Sequence, residues 1–219
     1  MLKLRALLFA VFLTLSLDSS GRELLAGLER ISFSSFRPDG WDIWLLEPNR
    51  PPQRLTDQPA LDYDPAWSPD GRYIVFTSER FGEPDLFVID TLKRGQERPL
   101  IIGEGMKDQA AFSPDGRRIL FASTRDAIDR GDKRFPFAIQ TTGNLYAMET
   151  KSGEVTRLTR TDGWDGSAVY APDGKRIYFY SDRLVPHDPR LFAMNSDGSD
   201  QHPMGPLQRA ISPAVENFV

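Results

Sequence analysis

Hydrophobic and polar residues alternate along this chain in short bursts, and one burst is written four times. It reads Ile-x-Phe-x-Ser-x-Arg: Ile31, Phe33, Ser35, Arg37; Ile74, Phe76, Ser78, Arg80; Ile119, Phe121, Ser123, Arg125; Ile177, Phe179, Ser181, Arg183. Successive side chains of a strand point to opposite sides, so the Ile, Phe and Ser of each copy share a face. The copies start 43, 45 and 58 residues apart. A repeat of that length built from short strands is the signature of a β-propeller.

The second copy shows how a repeat becomes a sheet. Ala66-Trp67-Ser68 reads as the end of a first strand. Pro69-Asp70-Gly71 makes a turn, because Pro pre-sets φ, Asp caps the turn and Gly accepts a positive φ. Tyr73 to Ser78 is the second strand, Phe81 to Pro84 a loop, Asp85 to Asp90 the third strand and Arg98 to Ile102 the fourth. Ser113-Pro114-Asp115-Gly116 and Ala171-Pro172-Asp173-Gly174 repeat the turn, and Ile43 to Leu46, Leu145 to Met148 and Leu191 to Met194 repeat the third strand. Four antiparallel strands joined by tight turns make one blade. The fold class is therefore all-β, a β-propeller of about four four-stranded blades.

The first copy lacks an inner strand, and the C-terminus carries one to spare. Ser212-Pro213-Ala214-Val215 aligns with Asp64-Pro65-Ala66-Trp67. Pairing the two termini in one blade would close the ring and leave no open sheet edge. The competing arrangements are a shortened relative of a larger propeller and a half-ring completed by dimerisation.

The N-terminus adds a targeting signal. Lys3 and Arg5 precede an apolar run from Ala6 to Leu17, a pattern that predicts a secretory signal peptide over residues 1–20, with a short retained anchor as the alternative. Residues 21–219 then form a single propeller domain. This places the protein in the periplasm or outside the cell, touching the membrane only through an uncleaved N-terminal segment. The chain carries a net charge of −4 and no cysteine. The acidic balance argues against nucleic acid, and the missing thiols exclude disulfides and thiolate chemistry.

The joint recurrence of Ser-Pro-Asp-Gly-[Arg/Lys], Ile-x-Phe-x-Ser and a third strand ending in an acid or in Asn195-Ser196-Asp197-Gly198 resembles the TolB-type propeller repeat over about residues 31–215. The resemblance implies a periplasmic binding platform. TolB proper has six blades and an N-terminal α/β domain, and this chain departs from both.

Candidate binding residues follow from blade topology. The loops between second and third strands share one face with the loops entering the next blade. That face collects Trp41, Asp62, Asp64, Asp108, Trp164, Asp165 and His187. It also collects an insertion from Asp126 to Gly143, about 14 residues longer than the matching loop of the second copy, which holds Arg134, Phe135 and Phe137. Long loops on a rigid scaffold carry function; plain length variation is the alternative. The repeated Arg is expected to pair within its blade, Arg37 with Asp42 and Arg80 with Asp85.

Catalytic chemistry has no signature. His187 and His202 are the only histidines, and no nucleophile elbow accompanies them. Asn195 to Asp200 lacks the glutamate of a calcium loop, because Pro206 stands at the twelfth position. No cofactor or metal is expected. The expected function is a non-enzymatic scaffold binding an envelope protein or a glycan. The alternatives are an accessory propeller of a prolyl-oligopeptidase-like hydrolase and a small propeller enzyme acting on saccharides.

Overall fold

The computed structural model describes residues 30–38, 40–93, 96–128 and 142–205. The signal segment, most of the insertion and the C-terminal segment expected to close the ring lie outside the described residues. Among the described residues, fifteen strands form four antiparallel sheets in chain order, with one short helix between two of the strands. Sheet 1 contains β1 (Ile31–Arg37), β2 (Gly40–Leu46) and β3 (Gln53–Arg54). Sheet 2 contains β4 (Asp62–Trp67), β5 (Tyr73–Ser78), β6 (Asp85–Asp90) and β7 (Glu97–Ile101). Sheet 3 contains β8 (Lys107–Phe112), β9 (Arg118–Ser123), β10 (Asn144–Glu149) and β11 (Val155–Arg157), with α1 (Arg125–Ile128) after β9. Sheet 4 contains β12 (Asp165–Tyr170), β13 (Arg176–Ser181), β14 (Arg190–Asn195) and β15 (His202–Pro203).

Period-two alternation is what joins the sheets. In sheet 2 the pairs Ile74–Ile89 and Phe76–Phe87 share one face, which packs on Ile43 of sheet 1. Val75 and Leu86 point the other way, onto Ile119, Phe121, Tyr146 and Met148 of sheet 3. Leu120, Ala122, Leu145 and Ala147 in turn meet Ile177, Phe179, Phe192 and Met194 of sheet 4. The three repeat phenylalanines Phe76, Phe121 and Phe179 are fully buried. Among the described residues, no apolar cluster joins sheet 4 back to sheet 1. Among the described residues the four sheets do not close, and sheet 1 has three strands; the segment expected to supply its fourth lies outside them.

The repeated Arg does other work than expected. Arg80 lies over Phe87 at 4.2 Å and Arg183 over Phe192 at 5.0 Å, while Arg125 covers Tyr146 and Arg37 covers Trp44. Its Nε donates to the repeat serine in sheets 2 and 4, at 2.8 and 2.9 Å. Its ion-pair partner is the first residue of the inner strand, Asp62 for Arg80 (3.2 Å) and Asp165 for Arg183 (2.7 Å). The pairing of Arg80 with Asp85 is thus overturned. Asp85 pairs instead with Lys107 of the next sheet at 2.7 Å, and Asp42 pairs with Arg54 at 2.8 Å rather than with Arg37. Direct sequence spacing misled here because antiparallel register, not proximity along the chain, decides which side chains meet.

The Ser-Pro-Asp-Gly segments are turns. Ser68 Oγ donates to Asp70 at 2.5 Å and accepts from Tyr73 N at 2.8 Å, and Gly71 has φ 66°. Ser113, Asp115 and Gly116 repeat the arrangement. The serine hydroxyls hold Asp70 and Asp115 below the usual carboxylate range.

Candidate functional site

The sequence-selected residues separate into three groups. Asp62 and Asp165 are fully buried, each tied to an arginine and to the repeat serine, and serve the fold rather than a surface. Burial pushes both carboxyls up, and the serine and arginine partners offset part of the rise. Trp41, Asp64, Asp108, Trp164 and His187 keep some exposure on the loop face. Arg134, Phe135 and Phe137 lie outside the described residues.

Two of the exposed group are brought together by a residue the sequence reading passed over. Asp182 is buried, accepts Trp164 N at 2.6 Å through Oδ1, and accepts His187 N at 3.1 Å through Oδ2. One carboxylate therefore fixes both the entry to β12 and the loop between β13 and β14. Thr124 does the same work in sheet 3, accepting Met106 N at 3.0 Å. Aligning the copies gives the signal: the residue between the repeat Ser and Arg is Phe36 in the first copy and an oxygen-bearing Glu79, Thr124 or Asp182 in the other three.

The inner strands share a second device. Each is bulged at one place, and the bulge holds a non-glycine residue at positive φ: Asp64 at 51°, Gln109 at 54° and Ser167 at 50°. Such residues are uncommon outside glycine, and a bulge re-aims the side chain it carries. Gln109 Oε1 accepts Ser167 N at 2.6 Å, tying sheet 3 to sheet 4. Asp64 is the charged member of the three. It is open to water yet crowded by protein, and loss of hydration pushes its carboxyl above its ordinary value of 3.8. Nearby, burial first and then the charges of Glu79, Asp108 and Asp64 push the Tyr63 hydroxyl up.

A raised folded-state pKa means that the Asp64 charge opposes folding above pH 3.8 and is neutral below it. Asp64→Asn is therefore expected to raise the melting temperature at pH 7 by up to a few degrees, with the gain vanishing below pH 3.8. Melting curves between pH 3 and pH 8 check this; a variant less stable at pH 7 would mean that the charge has a stabilising partner.

The loop face also exposes apolar side chains that no motif announced. Phe36 is 65% exposed, Phe81 64%, Leu184 59% and Ile102 54%, with Val185 beside Leu184. All stand in or beside the loops of this face; Leu92 is exposed in a turn of the opposite face, and Ile31, Leu46 and Val169 are exposed near the strand ends toward it. Trp41 packs beside Phe36, with ring centroids 6.0 Å apart. A cleft of about 660 Å³ opens elsewhere, between the outer strands of sheets 1 and 2. Most of its charged lining pairs within the protein, Arg50 with Glu47, Arg54 with Asp42 and Glu97 with Arg80. Among the described residues, no three His, Asp or Glu side chains are placed to hold a metal, and no helix is long and apolar enough to cross a membrane.

Four bladed sheets in a row, with one loop-rich apolar face, define a propeller array. The TolB beta propeller domain family matches residues 27–133. The Tol-Pal system protein TolB of Wolinella succinogenes is 29% identical over 140 residues, which cover 64% of this chain and 29% of that protein. The chain spans under a third of the length of this relative and a tenth of that of Syntrophus aciditrophicus TolB. The solved putative TolB of Agrobacterium tumefaciens superposes with a TM-score of 0.65 at 24% identity, covering 80% of this chain and 60% of that one. An oligogalacturonate lyase solved in complex with manganese shares the fold, with a TM-score of 0.62 at 20% identity over 80% of this chain and 49% of the lyase. Over residues 27–133 the chain carries TolB-type β-propeller repeats.

Proposed function

We propose that this protein is an exported, non-enzymatic scaffold that presents its loop face to another protein of the cell envelope. The observation that carries the reading is the apolar crown of Phe36, Phe81, Ile102, Leu184 and Val185 on one face of the array. Exposed apolar side chains gathered on one face mark protein contact. Mixed aliphatic and aromatic groups favour a protein partner over a glycan, which is held by hydrogen-bonding groups around flat aromatic platforms. The relatives support the setting, since the matching curated proteins are named for the Tol-Pal system. The mechanism is rigid display. Asp182 and the inner-strand bulges hold the loops before a partner arrives, so little conformational freedom is lost on binding.

Capture of envelope proteins on the immobilised full chain tests the proposal. Phe81→Glu and Leu184→Glu, both on exposed side chains, are expected to weaken capture at least about tenfold, the effect of losing one interface anchor. Leu92→Glu on the opposite face is the control and is expected to leave capture unchanged. Equal capture by all three variants would move the binding surface elsewhere.

A further inference from the structure

We infer that Trp164 and the polar groups beside it form a saccharide-binding subsite, in which the indole packs against a sugar ring and its neighbours hold the hydroxyls. This ligand is separate from the protein partner of the apolar crown, and the inference does not rest on that reading. Trp164 immediately precedes β12, at the place taken by Leu61 before β4 and by Met106 before β8. Two glycines flank it, Gly163 and Gly166. Neither has a positive φ, so space and not backbone conformation calls for them. A Cβ on Gly166 would fall 2.1 Å from Cζ2 of the Trp164 ring, and one on Gly163 would fall 2.3 Å from Oδ1 of Asp182. At the place of Gly166 the other inner strands carry Tyr63 and Asp108. Of the inner strands β4, β8 and β12, only β12 thus pairs a tryptophan with the gap that seats its ring.

The seat is held from two sides. Asp182 accepts Trp164 N at 2.6 Å, and its own N donates to Trp164 O at 3.1 Å, so one residue grips the tryptophan backbone at both its polar groups. Trp164 also bridges to Gly143, the residue that leads into β10. The side chain held in this way is only partly buried. The indole N–H groups of Trp44 and Trp67 are buried without a partner, whereas that of Trp164 is neither buried nor bonded among the described residues. It is therefore a donor placed at the surface on a fixed ring.

The neighbours supply what a sugar requires. Oε1 of Gln109 lies 2.7 Å from where a Gly166 Cβ would stand, so the amide and the indole meet over the same glycine. That oxygen accepts Ser167 N at 2.6 Å, which leaves the amide NH2 as a donor with no acceptor among the described residues. Ser167 adds a hydroxyl that is likewise uncommitted. Both stand on inner-strand bulges, which aim side chains away from the ladder. The two acids at this seat face inward: Asp165 pairs with Arg183 at 2.7 Å, and Asp182 accepts backbone N–H groups. A sugar presents a C–H face that packs on an aromatic ring and rim hydroxyls that accept N–H and O–H donors. An aromatic body with a few convergent polar groups is the composition of a small-ligand site.

The test uses the full chain and a set of trisaccharides that share the ring face and differ in substituent: cellotriose, triacetylchitotriose and trigalacturonate. Proton–nitrogen correlation spectra resolve the indole N–H of each tryptophan, and Trp164→Phe assigns the Trp164 signal by its loss. At least one of the sugars is expected to move that signal with a millimolar or tighter dissociation constant and to leave those of Trp44 and Trp67 in place. Which sugar does so distinguishes a neutral, an N-acetylated and an acidic ligand. By calorimetry, Trp164→Ala is expected to weaken binding at least about tenfold, with Trp164→Phe in between. Ser167→Ala is expected to weaken it about threefold, the effect of one hydrogen bond. A Trp164 signal that none of the sugars moves at ~10 mM overturns the inference. So does a sugar that moves all the indole signals alike, or a folded Trp164→Ala chain that binds as wild type does. If Trp164→Ala fails to fold, unchanged affinity in both Trp164→Phe and Ser167→Ala overturns it.

Discussion

Lys107→Ala is expected to destabilise the protein by about 3–5 kcal/mol, the cost of breaking a buried ion pair from one side. Lys107 is 1% exposed, and its ammonium donates to Asp85 at 2.7 Å and to the carbonyls of Gly103 and Gly105 at 2.5 Å each. All three ammonium hydrogens are used, so nothing in the native state compensates for their loss. Removing the amine strands the Asp85 carboxylate, which is 3% exposed, between sheets 2 and 3. An uncompensated buried charge is costlier than the pair was beneficial, so the single variant overstates what the latch contributes. The repeat supplies a control. In sheet 4 the position of Lys107 is Asp165, held by Arg183, and the position of Asp85 before it is Asn144. Sheet 3 already has the matching arginine, Arg125, stacked on Phe121 and Tyr146. The double change Asp85→Asn with Lys107→Asp converts this junction to the sheet 3–sheet 4 type and is expected to be less damaging than Lys107→Ala. Urea denaturation of the three proteins decides. A Lys107→Ala variant within about 1 kcal/mol of wild type, the spread of an ordinary surface pair, would show that this latch does not hold the junction.

The fold was legible because it is written four times. Any one copy of Ile-x-Phe-x-Ser-x-Arg is a short strand of ambiguous context, but four copies in register with the turns force the sheet order. The chemistry of the motif was less legible. Spacing pairs its arginine with an aspartate five residues on, whereas the arginine reaches back to the first residue of the inner strand, 18 residues earlier. That link depends on which strands lie side by side, which periodicity does not state. Asp62 and Asp165 looked like surface acids for the same reason: an aspartate at the mouth of a strand reads as exposed until its arginine is located. The bulge residues Asp64, Gln109 and Ser167 share a backbone conformation but no residue type, so nothing in the side-chain pattern marks them. The apolar crown was hidden by its dispersal over single residues in separate loops, which only the blade topology gathers on one face.

Phe121→Ala is expected to cost about 3–5 kcal/mol, as for other buried phenylalanines, and to lower the melting temperature by roughly 10 °C. Phe121 is fully buried between sheets 2 and 3, stacked on Tyr146 with centroids 5.6 Å apart and capped by Arg125. Truncation removes the ring, leaves a cavity that the flanking strands can fill only in part, and takes the aromatic platform from beneath the guanidinium. Phe33 occupies the same place in the first copy but lies on the outward face of sheet 1 and is half-buried. Phe33→Ala is therefore expected to cost the single chain much less, since fewer atoms leave water when it folds. The difference between the two substitutions reads out whether anything covers that face. Thermal unfolding of both variants at low and high protein concentration makes the comparison. An isolated chain shows a small, concentration-independent loss for Phe33→Ala. A face filled by a second copy makes that loss approach the Phe121 value as concentration rises, because association stabilises the folded state by mass action. Equal losses for the two positions at every concentration would mean that sheet 1 is already covered within the chain, and the open array would be wrong.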